Sequence, residues 1–133
     1  MSNSSFKCLI TGITGMVGSH LAEYIFENSN WQIHGMCRWR SPIDNISNLI
    51  NEINKSKRVF LKYGDLTDQN SIDKVIDEVR PNFVFHLAAQ SFPKTSFDEA
   101  NLTYNTNILG TSRLLESITK FNLNPVIHIC SSS

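Results

Sequence analysis

The sequence predicts an α/β fold, a doubly wound parallel sheet of about five strands with helices on its faces, and three observations carry that prediction. Five short apolar runs are spread along the chain, stretches of helical periodicity separate most of them, and a glycine-rich segment joins the first run to the first helix. Such alternation is the sequence form of repeated βαβ units. With 133 residues, 41% of them hydrophobic, the chain is long enough for one core and too short for two, so residues 1–133 are expected to form a single domain.

Taken in order, residues 6–11 read as the first strand. Val17, Leu21 and Ile25 follow at i, i+4 and i+8, an apolar stripe on a first helix. Residues 32–38 read as the second strand. The segment 41–57 is polar and rich in Asn, yet Ile46, Leu49, Ile50 and Ile53 keep helical spacing, so a loop with a short helix is expected. Residues 58–63 read as the third strand. Ile72, Val75, Ile76 and Val79 mark the next helix; Thr67 or Asp68 can cap its start, and Pro81 follows its end. Residues 83–87 form the fourth predicted strand. Leu114, Leu115, Ile118 and Phe121 then give a third stripe, on a helix read from about 97 to 121, and Asn124-Pro125 separates it from a last strand at 126–130. The expected strand order is 3-2-1-4-5.

Charge and composition narrow the function classes. Twelve Lys and Arg balance twelve Asp and Glu, so the chain lacks the basic footprint of a nucleic-acid or anionic-membrane binder. No apolar run approaches the roughly 20 residues that span a bilayer, and residues 1–7 are polar rather than signal-like, which makes a cytoplasmic protein the expectation. Cys8, Cys37 and Cys130 are odd in number and each falls in an apolar run, so buried free thiols are expected. His20, His34, His86 and His128 are scattered, which favours packing or surface roles over a metal site or a triad.

The segment Thr11-Gly12-Ile13-Thr14-Gly15-Met16-Val17-Gly18 leaves the first strand and opens the first helix. A glycine triplet alone marks many ordinary turns; set between a strand and a helix inside a ~30-residue βαβ unit it reads as the phosphate loop of a Rossmann-type dinucleotide site. Gly12 permits the tight turn, Gly15 lets backbone approach a pyrophosphate, and Gly18 lets helix pack on strand. The free N–H groups of the first helical turn, with the helix dipole behind them, supply the positive potential, so Thr14, Met16 and Val17 join the glycines as candidate cofactor-binding positions. Dinucleotide choice is read at the end of the second strand. Cys37-Arg38-Trp39-Arg40 offers no acid before Asp44, and Arg38 stands twenty residues after Gly18, a placement that favours NADP over NAD.

Several motifs extend this reading: Leu9-Ile10-Thr11-Gly12-Ile13-Thr14-Gly15, His34-Gly35 before Arg38, Tyr63-Gly64-Asp65-Leu66-Thr67-Asp68, Ala88-Ala89-Gln90-Ser91, Lys94, Ser96-Phe97 and Gly110-Thr111. Together they resemble the extended short-chain dehydrogenase/reductase family of NAD-dependent epimerases and dehydratases, and within it the GDP-mannose 4,6-dehydratase branch, over the whole chain. The resemblance implies that Asp65 bonds the adenine amine and Leu66 packs on the ring, although Asp65 read alone is equally a turn residue. It implies that Leu87, Ala88, Ala89, Gln90 and Ser91 pass the nicotinamide ribose, and that Asn107 ties helix to strand. Two positions depart from the branch: Leu102 stands where a cofactor-touching tyrosine is usual, and Trp39 replaces a second arginine.

The resemblance further aligns Ser132 with a catalytic Ser or Thr. An acid and a Tyr-x-x-x-Lys pair should follow it, and the chain holds neither; its tyrosines, Tyr24, Tyr63 and Tyr104, lack a lysine four places on. The expectation is therefore a cofactor-binding portion that stops before the substrate-binding part, from an enzyme acting on a nucleotide sugar and inactive by itself. An epimerase or reductase of the same fold, and a non-enzymatic NADP-binding protein, remain open readings. Self-association is also expected, through the last strand as an unpaired sheet edge or through the helix near 97–121.

Overall fold

The computed structural model describes residues 5–53 and 55–131. Chain order runs β1 (Lys7–Thr11), α1 (Met16–Asn28), β2 (Gln32–Cys37), a 3-10 helix (Asp44–Leu49), β3 (Val59–Tyr63), α2 (Gln69–Val79), β4 (Phe83–His86), α3 (Pro93–Asp98), α4 (Ala100–Tyr104), a π-helical turn (Asn105–Leu109), α5 (Gly110–Lys120) and β5 (Val126–Ile129). The five strands form one parallel sheet in the order β3-β2-β1-β4-β5, as the alternation predicts. Thr11 at the end of β1 stands opposite both Met36 on β2 and His86 on β4, so three strands finish together where the order reverses. Open α/β sheets bind their ligands at such a crevice.

Alternation along β1 sends its side chains to two cores. Cys8 and Ile10 join Ile13, Ala22, Ile25, Ile33, Ile46 and Leu49 on the face covered by α1 and the 3-10 helix. Leu9 joins Ile72, Val75, Ile76, Val79, Val84, Leu114 and Ile118 on the face covered by α2 and α5. Asp68 rather than Thr67 caps α2, accepting from the Asn70 N–H at 3.1 Å. The α2 and α5 helices are fastened by Asp73, whose carboxylate accepts from Lys120 at 2.7 Å, from Gln69 at 2.8 Å and from the Ser117 hydroxyl. These bonds, the Lys120 ammonium first and Ser117 next, hold the Asp73 carboxyl at about 2, well below its ordinary value.

Four expectations need correcting. On α1 Ile25 is buried and Leu21 packs against the core as expected, whereas Val17 is exposed: the close contact between Gly18 and the β1 turn puts Gly18, Ser19 and Ala22 on the buried face in its place. The helix read across 97–121 is broken into α3, α4, the π-helical turn and α5. Leu115 lies outside its stripe, half exposed, since Leu114 and Ile118 fill the contact with the sheet. Cys130 falls one residue beyond β5 and is exposed, because nothing covers the outer side of that strand among the described residues; Cys8 and Cys37 are buried, and burial pushes the Cys8 thiol up to about 12. The short helix expected within 41–57 is present as a 3-10 helix, with Ile46 and Leu49 buried and Ile50 turned outward.

Candidate functional site

A cleft of about 330 Å³ opens at the carboxyl ends of β1 to β4. Its walls are the glycine turn (Gly12, Thr14, Gly15), the end of β2 with its following turn (Met36, Cys37, Arg38, Ser41), the β3 loop (Gly64, Asp65, Leu66, Thr67), the β4 loop (Leu87, Ala88, Ala89, Gln90, Ser91) and two residues of the helical segment, Leu102 and Thr106. A smaller hollow of about 240 Å³ adjoins it beside Arg38 and shares Thr14, Gly15, Arg38 and Ser41, with Pro42, Asp44 and Asn45 completing its wall. Eleven of the fourteen positions named from the sequence for cofactor binding thus line one cavity: Gly12, Thr14, Gly15, Arg38, Asp65, Leu66, Leu87, Ala88, Ala89, Gln90 and Ser91. Met16, Val17 and Gly18 form the first turn of α1 instead; the first two are exposed and Gly18 is buried. Ser132 lies outside the described residues.

At Gly12 and Gly18 the glycine turn leaves no room for a side chain. Gly12 has φ +75°, the left-handed region, and a Cβ there would sit 2.9 Å from the Ala88 backbone nitrogen. A Cβ on Gly18 would sit 2.2 Å from the Gly12 carbonyl oxygen. Gly15 occupies the helix N-cap with no side-chain cap, and the first bond inside α1 runs from Ser19 N–H to Gly15 O at 3.0 Å. The N–H groups of Met16, Val17 and Gly18 therefore have no helical partner and suit an anion at the mouth of the helix.

The β3 loop is built as a turn. Asp65 Oδ1 accepts from the Thr67 N–H at 2.9 Å and from the Thr67 hydroxyl at 2.8 Å, so the turn role of Asp65 is real and occupies one carboxylate oxygen. From the other side, Arg113 of α5 donates to Leu66 O at 2.9 Å and to Asn105 O at 3.1 Å, tying the loop to the helical segment. The β4 loop is held at two points. Asn107, on the π-helical turn, accepts from Gln90 N–H at 2.7 Å and donates to Gln90 O at 3.0 Å, so the tie implied by the family resemblance runs from the helical segment to the loop after β4 rather than to the strand itself. Thr11 Oγ1 accepts from the Leu87 and Ala88 N–H groups, each at 3.1 Å, and stands 2.8 Å from His86 Nδ1; His86 Nε2 in turn stands 3.0 Å from Thr111 Oγ1.

Sequence reasoning missed Arg113, Ser41, Thr106 and the Thr11–His86–Thr111 chain. Thr11 and His86 are 75 residues apart, and Arg113 reaches Leu66 across 47, so no local pattern exposes either link. Among the described residues, no three His, Cys, Asp or Glu side chains gather as a metal site, and no helix is long and apolar enough to cross a membrane.

Comparison with known proteins agrees with this geometry. Residues 9–133 match the family described as GDP-mannose 4,6 dehydratase. The GDP-mannose 4,6-dehydratase of Yersinia enterocolitica is 40% identical over 117 residues, covering 84% of this chain and 31% of its own length. That of Homo sapiens is 39% identical over 116 residues, covering 83% and 30%. Among solved structures, the UDP-glucose 4-epimerase of Thermotoga maritima, with UDP-glucose, superposes with a TM-score of 0.79 at 24% identity, over 95% of this chain and 38% of that one. The Thermus thermophilus UDP-glucose 4-epimerase in complex with NAD gives 0.73 at 26% identity, over 89% and 35%. The chain thus spans about 30% of the length of the curated relatives it matches. Rossmann-type architecture, the glycine turn and a match across nearly the entire sequence lead to one assignment: the chain belongs to the GDP-mannose 4,6-dehydratase family.

Proposed function

We propose that the cleft binds NADP(H) and that the chain is the cofactor-binding part of a nucleotide-sugar 4,6-dehydratase acting on a GDP-sugar in the cytoplasm. The observation that carries this reading is the glycine turn, where backbone stands in the space that any Cβ at Gly12 or Gly18 would need, beside a helix mouth with no side-chain cap. A diphosphate fits that cradle. The N–H groups of Met16, Val17 and Gly18 would bind its oxygens, and the small residues Gly15 and Ala88 keep backbone within reach.

The hollow beside Arg38 supports the choice of NADP over NAD. Arg38 and Ser41 are donors on its wall, suited to a ribose 2′-phosphate, and no carboxylate occupies the position just after β2 that would accept from a free 2′-hydroxyl. Asp65 has its second carboxylate oxygen left for the adenine amine, and Leu66 offers an apolar surface to the ring. Leu87 to Ser91 would run beside the nicotinamide ribose. A nicotinamide bound there would supply the hydride acceptor for oxidation at the sugar C4. The residues of this chain bind and orient; Ser132 would hold the C4 oxygen. The base that takes the C4 hydroxyl proton belongs to a Tyr-x-x-x-Lys pair, which these 133 residues do not contain, so this polypeptide by itself binds cofactor without turnover.

Calorimetric titration with NADP+ and NAD+ tests the reading. NADP+ should bind about tenfold or more tightly, and Arg38→Ala should remove that preference, consistent with a charge-assisted contact of roughly 1.5–3 kcal/mol. Tighter binding of NAD+ would overturn the assignment of Arg38, and no binding of either would overturn the cofactor reading. Incubation with GDP-mannose and NADP+ should yield no 4-keto product.

A further inference from the structure

His86 is nearly inaccessible, at 4% exposure, and is not among the residues that line the cleft, yet both its ring nitrogens are engaged. The Thr111 hydroxyl donates to Asn107 O at 2.8 Å, the usual back-bond of a threonine on a helix, so toward His86 it can only accept. His86 Nε2 must then carry the hydrogen, which leaves Nδ1 bare. A bare Nδ1 at 2.8 Å requires the Thr11 hydroxyl to donate to it. With its one hydrogen so directed, Thr11 Oγ1 presents both lone pairs to the N–H groups of Leu87 and Ala88. Every donor and acceptor in the chain is matched in this arrangement and in no other. Burial, which lowers the His86 pKa, keeps the ring in the neutral form it needs.

From this geometry we propose that His86 is a positioning residue for cofactor binding: as the neutral Nε2–H tautomer it directs the Thr11 hydroxyl, and Thr11 in turn holds the Leu87–Ala88 backbone against the glycine turn at the floor of the cleft. The consequence follows from how little clearance exists there. The Ala88 nitrogen lies 2.9 Å from where a Cβ of Gly12 would be, so the β4 loop and the glycine turn share one boundary. A hydroxyl pointing elsewhere would take the acceptor from the half-buried Ala88 N–H, while the Leu87 N–H keeps its second bond, to Thr11 O at 3.3 Å; the loss at Ala88 loosens the β4 loop where it meets the glycine turn. Asn107 secures the far end of the same loop at Gln90, and its carbonyl oxygen receives the Thr111 hydroxyl, so one hydrogen-bonded chain runs from β1 through β4 to the π-helical turn.

The inference rests on the reading of the cleft as a dinucleotide site, but it has readouts that do not depend on a ligand. Nitrogen-15 NMR of the His86 ring in the free chain should show the Nε2–H tautomer; an Nδ1–H ring would overturn the proposal without any substitution. Amide exchange at Ala88 should quicken by tenfold or more in His86→Leu and in Thr11→Val, and less at Leu87, which keeps its bond to the Thr11 backbone carbonyl. His86→Asn places an acceptor where Nδ1 stands and should recover most of the protection, whereas His86→Gln keeps only the reach toward Thr111 and should behave like His86→Leu. Titrated with NADP+, His86→Leu and Thr11→Val should each weaken binding about tenfold, and the double variant should be no weaker than either single one. Additive losses, or an Asn variant as damaged as the Leu variant, would show a merely structural histidine. If the unsubstituted chain binds no NADP+, the proposed function fails, and the tautomer and exchange results still decide the role of His86.

Discussion

A methyl group on Gly18 would lie 2.2 Å from the Gly12 carbonyl oxygen, and the obstacle is backbone that cannot swing aside. Relief requires α1 to back away from β1. Gly18→Ala should therefore cost about 3 kcal/mol of stability, read as a drop of roughly 10 °C in thermal midpoint. Gly15→Ala is the contrasting case, because its added Cβ meets only the Gly12 oxygen at 3.3 Å and its φ of −75° suits any residue; it should fold nearly as well while binding NADP+ less tightly. Among the residues that act on stability in the acid range, His34 and Asp73 have large shifts, and His86, its pKa lowered by burial, acts in the same sense as His34. His34 is buried against Phe60, and burial first, with Lys62 and Lys7 adding to it, lowers its pKa to about 4. The fold prefers the neutral ring, so the unfolded chain takes up the proton first as pH falls below the ordinary 6.5. Stability should drop between about pH 6.5 and 4 by up to about 3 kcal/mol, and His34→Phe should flatten that part of the urea-unfolding profile. Asp73 acts lower down: its depressed pKa contributes stability that is complete above about pH 4 and disappears as pH falls through 2. The stability gap between the protein and Asp73→Asn should be about 2 kcal/mol near pH 6 and should close toward pH 2.

Among the elements, the segment from α3 to α5 is the one whose form could not be read in advance. Its apolar residues keep helical spacing, and the sequence holds no Gly or Pro between Lys94 and Leu109 to mark a break. The π-helical turn at Asn105–Leu109 carries Asn107, whose side chain grips both backbone groups of Gln90. That grip depends on a residue 17 positions away, and periodicity reports only what lies within one or two turns. The start of α5 is set in the same manner: Gly110 meets Leu66, with only 2.7 Å between an added Cβ and the Leu66 Cβ, and Arg113 bonds the Leu66 carbonyl. In contrast, α2 was legible from end to end. Its stripe of Ile72, Val75, Ile76 and Val79 is buried as predicted, its Asp68 cap is local, and Pro81 follows an Arg80 that closes the helix in the left-handed region at φ 48°. Leu114 of α5 packs into that stripe with no exposure, so Leu114→Ala should cost about 2–5 kcal/mol in chemical denaturation.

At the scale of the whole molecule, the sheet has two unequal edges. On β5 the pattern is largely exposed, with Val126 at 65% and Ile129 at 43%, and apolar side chains at Leu102, Tyr104, Ile108 and Leu109 also face outward. A parallel sheet is normally covered on both faces, and an apolar edge strand pairs readily with another chain. Sedimentation of this polypeptide should show self-association that grows with concentration; a strictly monomeric profile at high concentration would count against it. Cofactor should act across the molecule as well, because the cleft is walled by the ends of four strands and by the helical segment after β4. NADP+ at about a hundred times its Kd should add close to 2.7 kcal/mol to unfolding, the mass-action value for one site.

Residue order alone determined the strand sequence, the alternation that divides β1 between two cores, the glycine turn and the family, because each depends on neighbours within a few positions or on a motif that spans one βαβ unit. Tertiary structure decided what depends on contact between distant parts: which residues at the start of α1 are buried, where the long helix breaks, which oxygen of Asp65 is occupied, and how Thr11, His86 and Thr111 are joined. Their physical basis is shared, since a hydrogen bond or a close backbone approach between residues 47 or 75 apart leaves no periodic trace in either segment.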